Sequence, residues 1–409
     1  MLPKSPRLRR LLVAYAVNEL GTWFGYVALA VGVYDHTKSA IATAGLFIAR
    51  GLLPAVLAPV LVTRIERSRR RGGLAALYML EAVLAVGLAL LLWKFWLPGV
   101  LLLVAVDGMA AVAATALVRA GTAQISDREG PTAQRQANAA LNIVFMFSFA
   151  VGPALGGLIV HVAGGPVALL IDAASFALAG ALLMALSVHV DAAAGESIRA
   201  RLGAAIRHVR GVPALRALLA TEALAVVFFA SVEPVEVVYA KSTLHAGTLG
   251  LGILLGIWGA GAALGSVLFA RAGSRSLGSM LSVGTLCVGL AYLGWAAAPT
   301  LAVACVAALV GGVGNGVQWP SLVSAVQRLT PAEMQGRIMS AIGSTTALCP
   351  AIGFALGGVI AATTSTRVAM LCAGSVATLA TAAFLRLWLW GPLREAQNAP
   401  EPASEPVAF

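Results

Sequence analysis

Seven acidic residues lie within long apolar runs of the sequence, where a carboxylate is deprived of water. They are Glu19, Glu81, Asp107, Asp172, Glu222, Glu233 and Glu236. An ionised carboxylate costs about 3 kcal/mol at the middle of a lipid bilayer, so each acid must face a polar interior, pair with a cation or hold a proton. A carboxyl group removed from water can take up and release its proton near neutral pH. The acids therefore indicate proton chemistry within a membrane.

Three of these acids are predicted to share one face of a helix in the run 214–240. At 100° per residue, Glu233 lies about 20° from Glu222, and Glu236 lies about 40° away on the other side. Pro234 lies between the last two acids and is expected to weaken the helix there, as is common near moving gates. Glu222 is our first candidate for a proton carrier.

Other polar residues in the apolar runs are candidates for the same site. Glu19 and Asp107 follow Glu222 as candidates for the proton carrier. Arg50 lies deep in an apolar run and needs an acidic partner, for which Glu19 and Asp107 are both suited. Carboxylates beside aromatic rings suit an amphipathic organic substrate, including a cationic one. The residues predicted to contact such a substrate are Tyr15, Tyr26, Asn315 and Gln318.

Four of the acids also have interpretations that involve no transport chemistry. Glu233 and Glu236 are consistent with solvated charges in an external mouth. Asp172 is consistent with a structural acid that bonds a neighbouring helix. Glu81 lies near the inner end of its run, where it is suited to pair with the arginine-rich segment before it. The sequence leaves these alternatives open.

The composition indicates that the apolar runs are membrane helices. Hydrophobic residues make up 59% of the 409 residues, charged residues make up 11%, and the mean hydropathy is +0.89. Soluble domains carry roughly 25% charged residues. Twelve runs are long enough to cross about 30 Å of hydrocarbon, which predicts an all-α protein with twelve transmembrane helices. Their approximate limits are 11–34, 41–62, 74–93, 97–118, 138–162, 166–188, 214–240, 247–270, 277–298, 300–326, 338–361 and 367–390.

The positive charges are distributed unevenly between the two sides of this arrangement. Of the 28 Lys and Arg residues, 23 fall on the side of the amino terminus and four fall on the opposite side. Because cytoplasmic segments are enriched in Lys and Arg, both termini are predicted to be cytoplasmic, in a multi-pass protein of the cell (inner) membrane. The net charge of +11 therefore indicates a lipid bilayer as the partner, and not nucleic acid.

An internal repeat divides the chain into two halves. The segment VGPALGGLI at 151–159 is echoed by IGFALGGVI at 352–360. Small residues at this spacing let membrane helices approach closely, and a repeat near half the chain length is typical of transporters. The predicted units are a six-helix half at 1–188, a cytoplasmic loop with an amphipathic helix at 189–213, a six-helix half at 214–390 and a disordered tail at 391–409.

Two motifs and several segments resemble a known family of transporters. Gly152, Pro153, Gly156 and Gly157 match the fifth-helix antiporter motif of the major facilitator superfamily. The loop after the second run resembles the cytoplasmic gate loop of that superfamily. The segments NELGTWF (18–24), ARGLLPAVLAP (49–59) and LLIDAASFALAGALL (169–183) are similar to macrolide-efflux and enterobactin-exporter proteins. The gate-loop residues that carry the resemblance are Glu66, Arg67, Arg70 and Arg71.

The resemblance implies a major facilitator fold with two pseudo-symmetric halves around a central cavity. Helices one, four, seven and ten line that cavity in the superfamily. The resemblance therefore implies that Glu19, Asp107, Glu222, Glu233 and Glu236 face the cavity. It further implies proton-coupled antiport, in which the substrate and the proton displace one another.

We predict a secondary active transporter that exports a small amphipathic organic compound, such as a drug, a macrolide or a siderophore, against proton entry. A monomer is expected, with no enzymatic activity, metal or cofactor. One alternative is a metabolite importer or facilitator of the same fold. Another is a membrane sensor that transports nothing. The sequence does not identify the substrate, because fold does not imply function.

Overall fold

The computed structural model describes residues 5–52, 54, 72–127, 130–184, 198–273 and 275–389, and the regular elements in these ranges are helices. A five-residue π-helix, Tyr239–Thr243, continues α8. The helices are α1 (Pro6–Thr37), α2 (Ala40–Leu52), α3 (Gly73–Trp93), α4 (Leu97–Asp127), α5 (Pro131–Ala163), α6 (Gly165–Leu183), α7 (Ile198–Gly211), α8 (Pro213–Val238), α9 (Gly247–Arg271), α10 (Leu277–Ala297), α11 (Leu301–Arg328), α12 (Ala332–Thr363) and α13 (Thr366–Leu389).

The prediction of an all-helical, multi-pass membrane protein is confirmed. In the described ranges, nine helices are long and apolar enough to cross a membrane: α3, α4, α5, α6, α8 with its π-helix, α9, α10, α11 and α13. Two shorter apolar helices, Ala40–Leu52 and Leu348–Thr363, overlap the predicted second and eleventh runs. The helix α1 carries Asn18, Glu19 and Thr22 at its middle and is not among the nine. The count of twelve spans stays a prediction.

Local signals explain how α1 begins and ends. The Ser5 side chain caps the helix by accepting a hydrogen bond from the Leu8 backbone N–H at 3.5 Å. Pro6 follows at the first helical position, where its missing N–H costs nothing. The chain leaves the helix at Lys38, whose φ of 49° is left-handed and turns the backbone towards α2. The polar middle of α1 is therefore held between two defined ends.

The helices approach one another closely at one end of the bundle, here termed the contact end. It contains the end of α1, the start of α2 and the segment after α8. Lys241 Nζ in that segment lies 2.6 Å from Asp35 Oδ2 near the end of α1. Phe47 of α2 packs on Phe354 of α12, with ring centroids 5.5 Å apart. Residues far apart in sequence thus close the contact end.

The apolar cores divide along the length of the bundle. The largest core lies at the contact end and combines residues of α1, α2 and α3 with residues of α8, α9 and α12. Away from this end, one core holds residues between Leu8 and Leu183. A separate core holds residues between Leu215 and Phe384. The bundle is therefore joined at the contact end and consists of two packed groups of helices beyond it.

The first glycine-rich repeat packs α5 against two other helices. A Cβ on Gly152 would lie 2.7 Å from the Trp23 side chain of α1, and a Cβ on Gly156 would lie 3.1 Å from the Trp23 carbonyl oxygen. A Cβ on Gly157 would lie 2.9 Å from the Cα of Gly252 in α9. The carbonyl oxygen of Pro153 lies against the same Gly252. These four residues therefore form contacts that a larger side chain would prevent.

The second repeat makes equivalent contacts 201 residues later. A Cβ on Gly353 of α12 would lie 2.9 Å from the Cβ of Ala230 in α8. A Cβ on Gly358 would lie 2.5 Å from the Cβ of Ala44 in α2. Thus α5 contacts α1 and α9, while α12 contacts α8 and α2. Each of these two helices therefore contacts one helix from its own part of the chain and one helix from the other part.

The predicted helix between the repeats is present as α7, which contacts α8 and α12. Its position on a membrane surface stays a prediction. The tail at 391–409 and the gate loop with Glu66, Arg67, Arg70 and Arg71 lie outside the described residues.

Candidate functional site

A polar cavity of about 210 Å³ lies among α1, α2, α3, α4 and α6. One acid from each of four helices lines it: Glu19 of α1, Glu81 of α3, Asp107 of α4 and Asp172 of α6. Arg50 of α2 lines the same cavity, as does the predicted substrate residue Tyr15. The structure thus brings four of the seven acids to one place.

Three of the four acids of this cavity are deeply buried, and Glu19 is half-buried. The exposed fraction is 1% for Glu81, 5% for Asp172 and 9% for Asp107. Asp172 lies close to α1 because that helix has Gly21 and Gly25 where the carboxylate approaches. A Cβ on Gly21 would lie 2.8 Å from Asp172 Oδ1, and a Cβ on Gly25 would collide with Oδ2. The two glycines are therefore required for a carboxylate of α6 to reach the backbone of α1.

Arg50 has no acidic partner within 4.0 Å among the described residues. Its guanidinium carbon lies 5.9 Å from the ring centroid of Tyr26. The charge of Arg50 still acts on Glu19 and Asp107 at longer range, and also on Glu233 of α8. The predicted ion pair of Arg50 with Glu19 or Asp107 is therefore not formed at contact distance. Arg50 instead interacts at longer range with these two acids and with Glu233 of α8.

Glu222 and Gln318 form a buried pair between α8 and α11. The Nε2 of Gln318 donates to Oε1 of Glu222 at 3.1 Å and to Oε2 at 3.0 Å. The exposed fraction is 5% for Glu222 and 2% for Gln318. Both residues are predicted site residues, but the sequence does not predict that they bind each other. Asn315 lies three residues before Gln318 in α11 and is half-buried.

Glu222 is separated from Glu233 and Glu236, although all three belong to α8. A rise of 1.5 Å per residue places Glu233 about 17 Å farther along the helix than Glu222. Glu233 and Glu236 are half-buried and interact electrostatically with Tyr26 of α1 and Tyr292 of α10. The shared helical face therefore contains two distinct acidic sites instead of one.

The helix is not interrupted at Pro234, where a weakening was expected. The helix α8 continues through Pro234 to Val238 and then changes to the π-helix Tyr239–Thr243. Such π-helical turns are frequent at functional sites. Here the turn carries Lys241, which binds Asp35 across the contact end.

Several aromatic rings pack on one another near the contact end. Tyr26 packs edge-on against Trp23 and Phe47, with ring centroids 5.3 and 5.5 Å apart. Tyr292 stacks on Trp258 with centroids 5.6 Å apart. Tyr26 was predicted from the sequence to contact substrate, whereas the other rings were not. An aromatic residue in an apolar run is usually only a packing residue.

Glu81 and Asp172 were not among the residues predicted for the proton or substrate site, but the structure places both in the cavity wall. They lie on α3 and α6, which the resemblance to the superfamily does not assign to the central cavity. The general cost of burying an acid applied to them as much as to Glu19 and Asp107. That cost is the sequence signal that could have identified Glu81 and Asp172 as cavity residues.

Comparisons with known proteins identify the family. A family model described as transmembrane secretion effector matches residues 4–407, so the chain belongs to that family. No functionally curated protein sequence matches the chain. The fold resembles a mutant of the nucleoside transporter NupG, with a TM-score of 0.74, 13% identity, and coverage of 93% of this chain and 100% of the other.

Two further solved structures have the same fold. One is the POT family transporter PepTSo, with a TM-score of 0.72, 11% identity, and coverage of 97% of this chain and 100% of that one. The other is a bacterial homologue of the iron transporter ferroportin in an inward-facing state, with a TM-score of 0.70, 16% identity, and coverage of 94% and 99%. These likenesses establish the fold alone, and the family match over residues 4–407 supports a membrane transporter of the major facilitator type.

Proposed function

We propose that this member of the transmembrane secretion effector family exports a small amphipathic organic compound in exchange for protons. In this proposal twelve membrane helices form two halves, 1–188 and 214–390, and the substrate crosses between them. A drug, a macrolide or a siderophore is the class of substrate we expect. The protein acts as a monomer.

The observation that carries the proposal is the buried pair of Glu222 and Gln318. A carboxyl group with a 5% exposed fraction is stable only if it holds a proton or keeps its hydrogen-bond partner. Gln318 can donate to Glu222 in either state, because a protonated acid still has an acceptor oxygen. Glu222 can therefore gain and lose a proton while its carboxyl group keeps the hydrogen bond from Gln318. Glu19 and Asp107 are the next candidates for the same role.

The substrate path is proposed to run beside Tyr26, Glu233 and Glu236. These residues come from different halves in our assignment, and aromatic rings next to carboxylates suit an amphipathic cation. Arg50 interacts with Glu233 and with the acids of the first half, so protonation in one half would alter the field in the other. This electrostatic connection would link proton binding to substrate release.

The orientation follows from the distribution of positive charge. With both termini in the cytoplasm, the contact end lies at the external face of the inner membrane. The two separate cores then lie towards the cytoplasm, which is the side from which an exporter takes its substrate. Rocking of the two halves about the contact end would carry the site from one side to the other.

The experiment uses inside-out vesicles that contain the protein and hold a proton gradient. Lipophilic cations, macrolides and siderophores are added in turn while the lumenal pH is recorded. We expect proton release on addition of one class, and no release with Glu222→Gln, whose amide can still bond Gln318 and preserve the fold. Glu222→Gln protein that still drives uphill export would refute the assignment of Glu222.

The same experiment separates the alternatives. Folded, inserted protein that gives no proton release with any compound argues for a facilitator, an importer or a sensor without transport. Uptake of a metabolite in the opposite direction would identify the importer. The nucleoside and peptide transporters that share the fold make nucleosides and short peptides the first compounds to add in that case.

A further inference from the structure

The four-acid cavity has features that proton exchange at Glu222 does not explain. It lies entirely within the first six helices, away from the pair on α8 and α11. If all its groups are ionised, four carboxylates face one guanidinium, which leaves three negative charges unbalanced. Charges held apart from water at this density need a cation or protons. The cavity therefore calls for an occupant.

Two buried acids in the cavity wall have an oxygen with no hydrogen-bond partner. They are Glu81 Oε2 and Asp172 Oδ1, on side chains whose exposed fractions are 1% and 5%. Asn18 Oδ1, in the same wall, also has no partner. These acceptors come from α3, α6 and α1, so a single ligand would connect three helices. A buried acceptor without a donor is destabilising, and a ligand that supplies donors would remove that cost.

The arrangement of the acceptors distinguishes between kinds of cation. Among the described residues, no three His, Cys, Asp or Glu side chains are grouped as a metal ion requires. A metal ion draws its oxygen ligands to within about 2.6 Å of one point. An organic ammonium or guanidinium group instead carries several N–H donors that point to acceptors on different walls. The spread of the acceptors favours the organic cation.

The size and lining of the cavity limit that cation further. A volume of about 210 Å³ holds about seven groups the size of water. This is below the roughly 300–1,000 Å³ of pockets for drug-sized ligands. The rings of Tyr15, Tyr78 and Phe176 contribute to the wall and suit the methylene groups and charge of an alkylamine.

We propose that the cavity formed by Glu19, Glu81, Asp107 and Asp172 is a binding site for a compact organic dication, of the short alkyl diamine or guanidinoalkylamine class. It rests on the proposed function in treating the chain as an exporter, and it adds a second ligand site separate from the proton pair. Asn18, Glu81 and Asp172 accept hydrogen bonds from the ammonium groups. With Arg50 and the dication, the four acids keep one negative charge, which a single proton on Glu19 or Asp107 balances.

The test is equilibrium binding to the purified full-length protein in detergent. The probes are 1,4-diaminobutane and agmatine, and binding is read as a saturable rise of the thermal unfolding midpoint and as a one-to-one heat signal. We expect both probes to bind at concentrations where 1,4-butanediol, sodium and tetramethylammonium do not. Glu81→Gln and Asp172→Asn should each weaken diamine binding roughly tenfold or more. Failure of both probes to bind would overturn the proposal.

Control variants make the result specific to the cavity. Asp127→Asn removes one acid from the exposed end of α4, outside the cavity, and should leave diamine binding unchanged. Ala111→Leu fills the cavity without removing a charge and should abolish binding, which provides a test if the acid variants do not fold. Normal binding in Ala111→Leu would place the ligand elsewhere and refute the site. Equal stabilisation by sodium or by tetramethylammonium would also refute it, since neither has N–H donors.

The outcome is independent of the test of export. Protein that binds diamine but exports none of the tested compounds would contradict the proposed function and retain the site. Protein whose export depends on Glu222 but that binds no diamine would support the proposed function and refute the diamine site.

Discussion

Burial makes the partner of Glu222 as important as the acid itself. Gln318 offers both bonds through one amide nitrogen, at 3.0 and 3.1 Å, from a helix more than ninety residues away in sequence. Removing Gln318 leaves a carboxyl group in an apolar bundle without a donor. Removing both groups leaves an apolar gap with no unsatisfied atom, which is much less costly. The pair should therefore behave as a unit.

We predict that Glu222→Leu and Gln318→Leu are strongly non-additive. Gln318→Leu alone should lower the free energy of unfolding by about 1–3 kcal/mol, and adding Glu222→Leu should recover part of that loss. Unfolding of the purified variants in detergent, for all four corners of the cycle, measures the coupling. Losses that add to within about 0.5 kcal/mol would mean that the two side chains do not stabilise each other.

At the level of helices, glycines determine which elements meet. The helix α9 contacts α5 through Gly252, Gly256 and Gly259, and each of these glycines faces backbone atoms of α5. Backbone cannot move aside as a flexible side chain can, so a methyl group at such a position separates the helices. In lipid, this close packing is a main source of helix association.

We predict that Gly252→Ala destabilises the protein by about 1–3 kcal/mol and reduces transport, because its Cβ would lie 2.6 Å from the Pro153 carbonyl oxygen. Thermal unfolding and vesicle transport measure the two effects. Gly45→Ala in α2 is the matched control, since a Cβ there meets no atom within 4 Å. It should be neutral or slightly stabilising, because alanine favours helix over glycine by roughly 0.5–1 kcal/mol. Equal stability of the two variants would contradict the packing argument.

For the whole molecule, the contact end is the place where the two groups of helices are held together. It combines the Asp35–Lys241 ion pair, the Phe47–Phe354 ring contact and the α5–α9 glycine contacts. The ion pair is partly exposed and so contributes little by itself. The contact end is therefore held together mainly by its apolar core and its glycine contacts.

We predict that a cross-link at the contact end stops transport. A Cβ on Gly256 would lie 3.1 Å from the Cβ of Ala154, so Ala154→Cys with Gly256→Cys can form a disulfide after a shift of a few tenths of an ångström. The four natural cysteines, all free, are replaced first. Oxidation should abolish the transport that the reduced double-cysteine variant retains, and dithiothreitol should restore it to that level, while each single-cysteine variant is unaffected by oxidant. Equal transport by the cross-linked and the reduced variant would show that α5 and α9 need not separate.

The sequence by itself predicted the class of the protein, its apolar helices and most of the polar residues that the structure places in buried sites. Apolar runs and their length require membrane helices, because backbone groups in lipid must be satisfied within the segment. The repeat at 151–159 and 352–360 identified the glycines through which α5 and α12 contact their neighbours. The seven acids stood out because each is costly in an apolar run. Apolar runs and the acids within them are recognised from residues close together in sequence, so they can be predicted without the tertiary structure.

The tertiary structure decided which of these residues act together. It paired Glu222 with Gln318, grouped Glu81 and Asp172 with Glu19 and Asp107, and left Arg50 without a contact partner among the described residues. Helical periodicity gives the face on which a side chain lies, but it does not give the helix that the face meets. That choice depends on how small residues let distant helices approach, as Gly21 and Gly25 do for Asp172. Contacts between distant helices therefore divided the seven acids among three separate sites: the four-acid cavity, the Glu222–Gln318 pair, and Glu233 with Glu236.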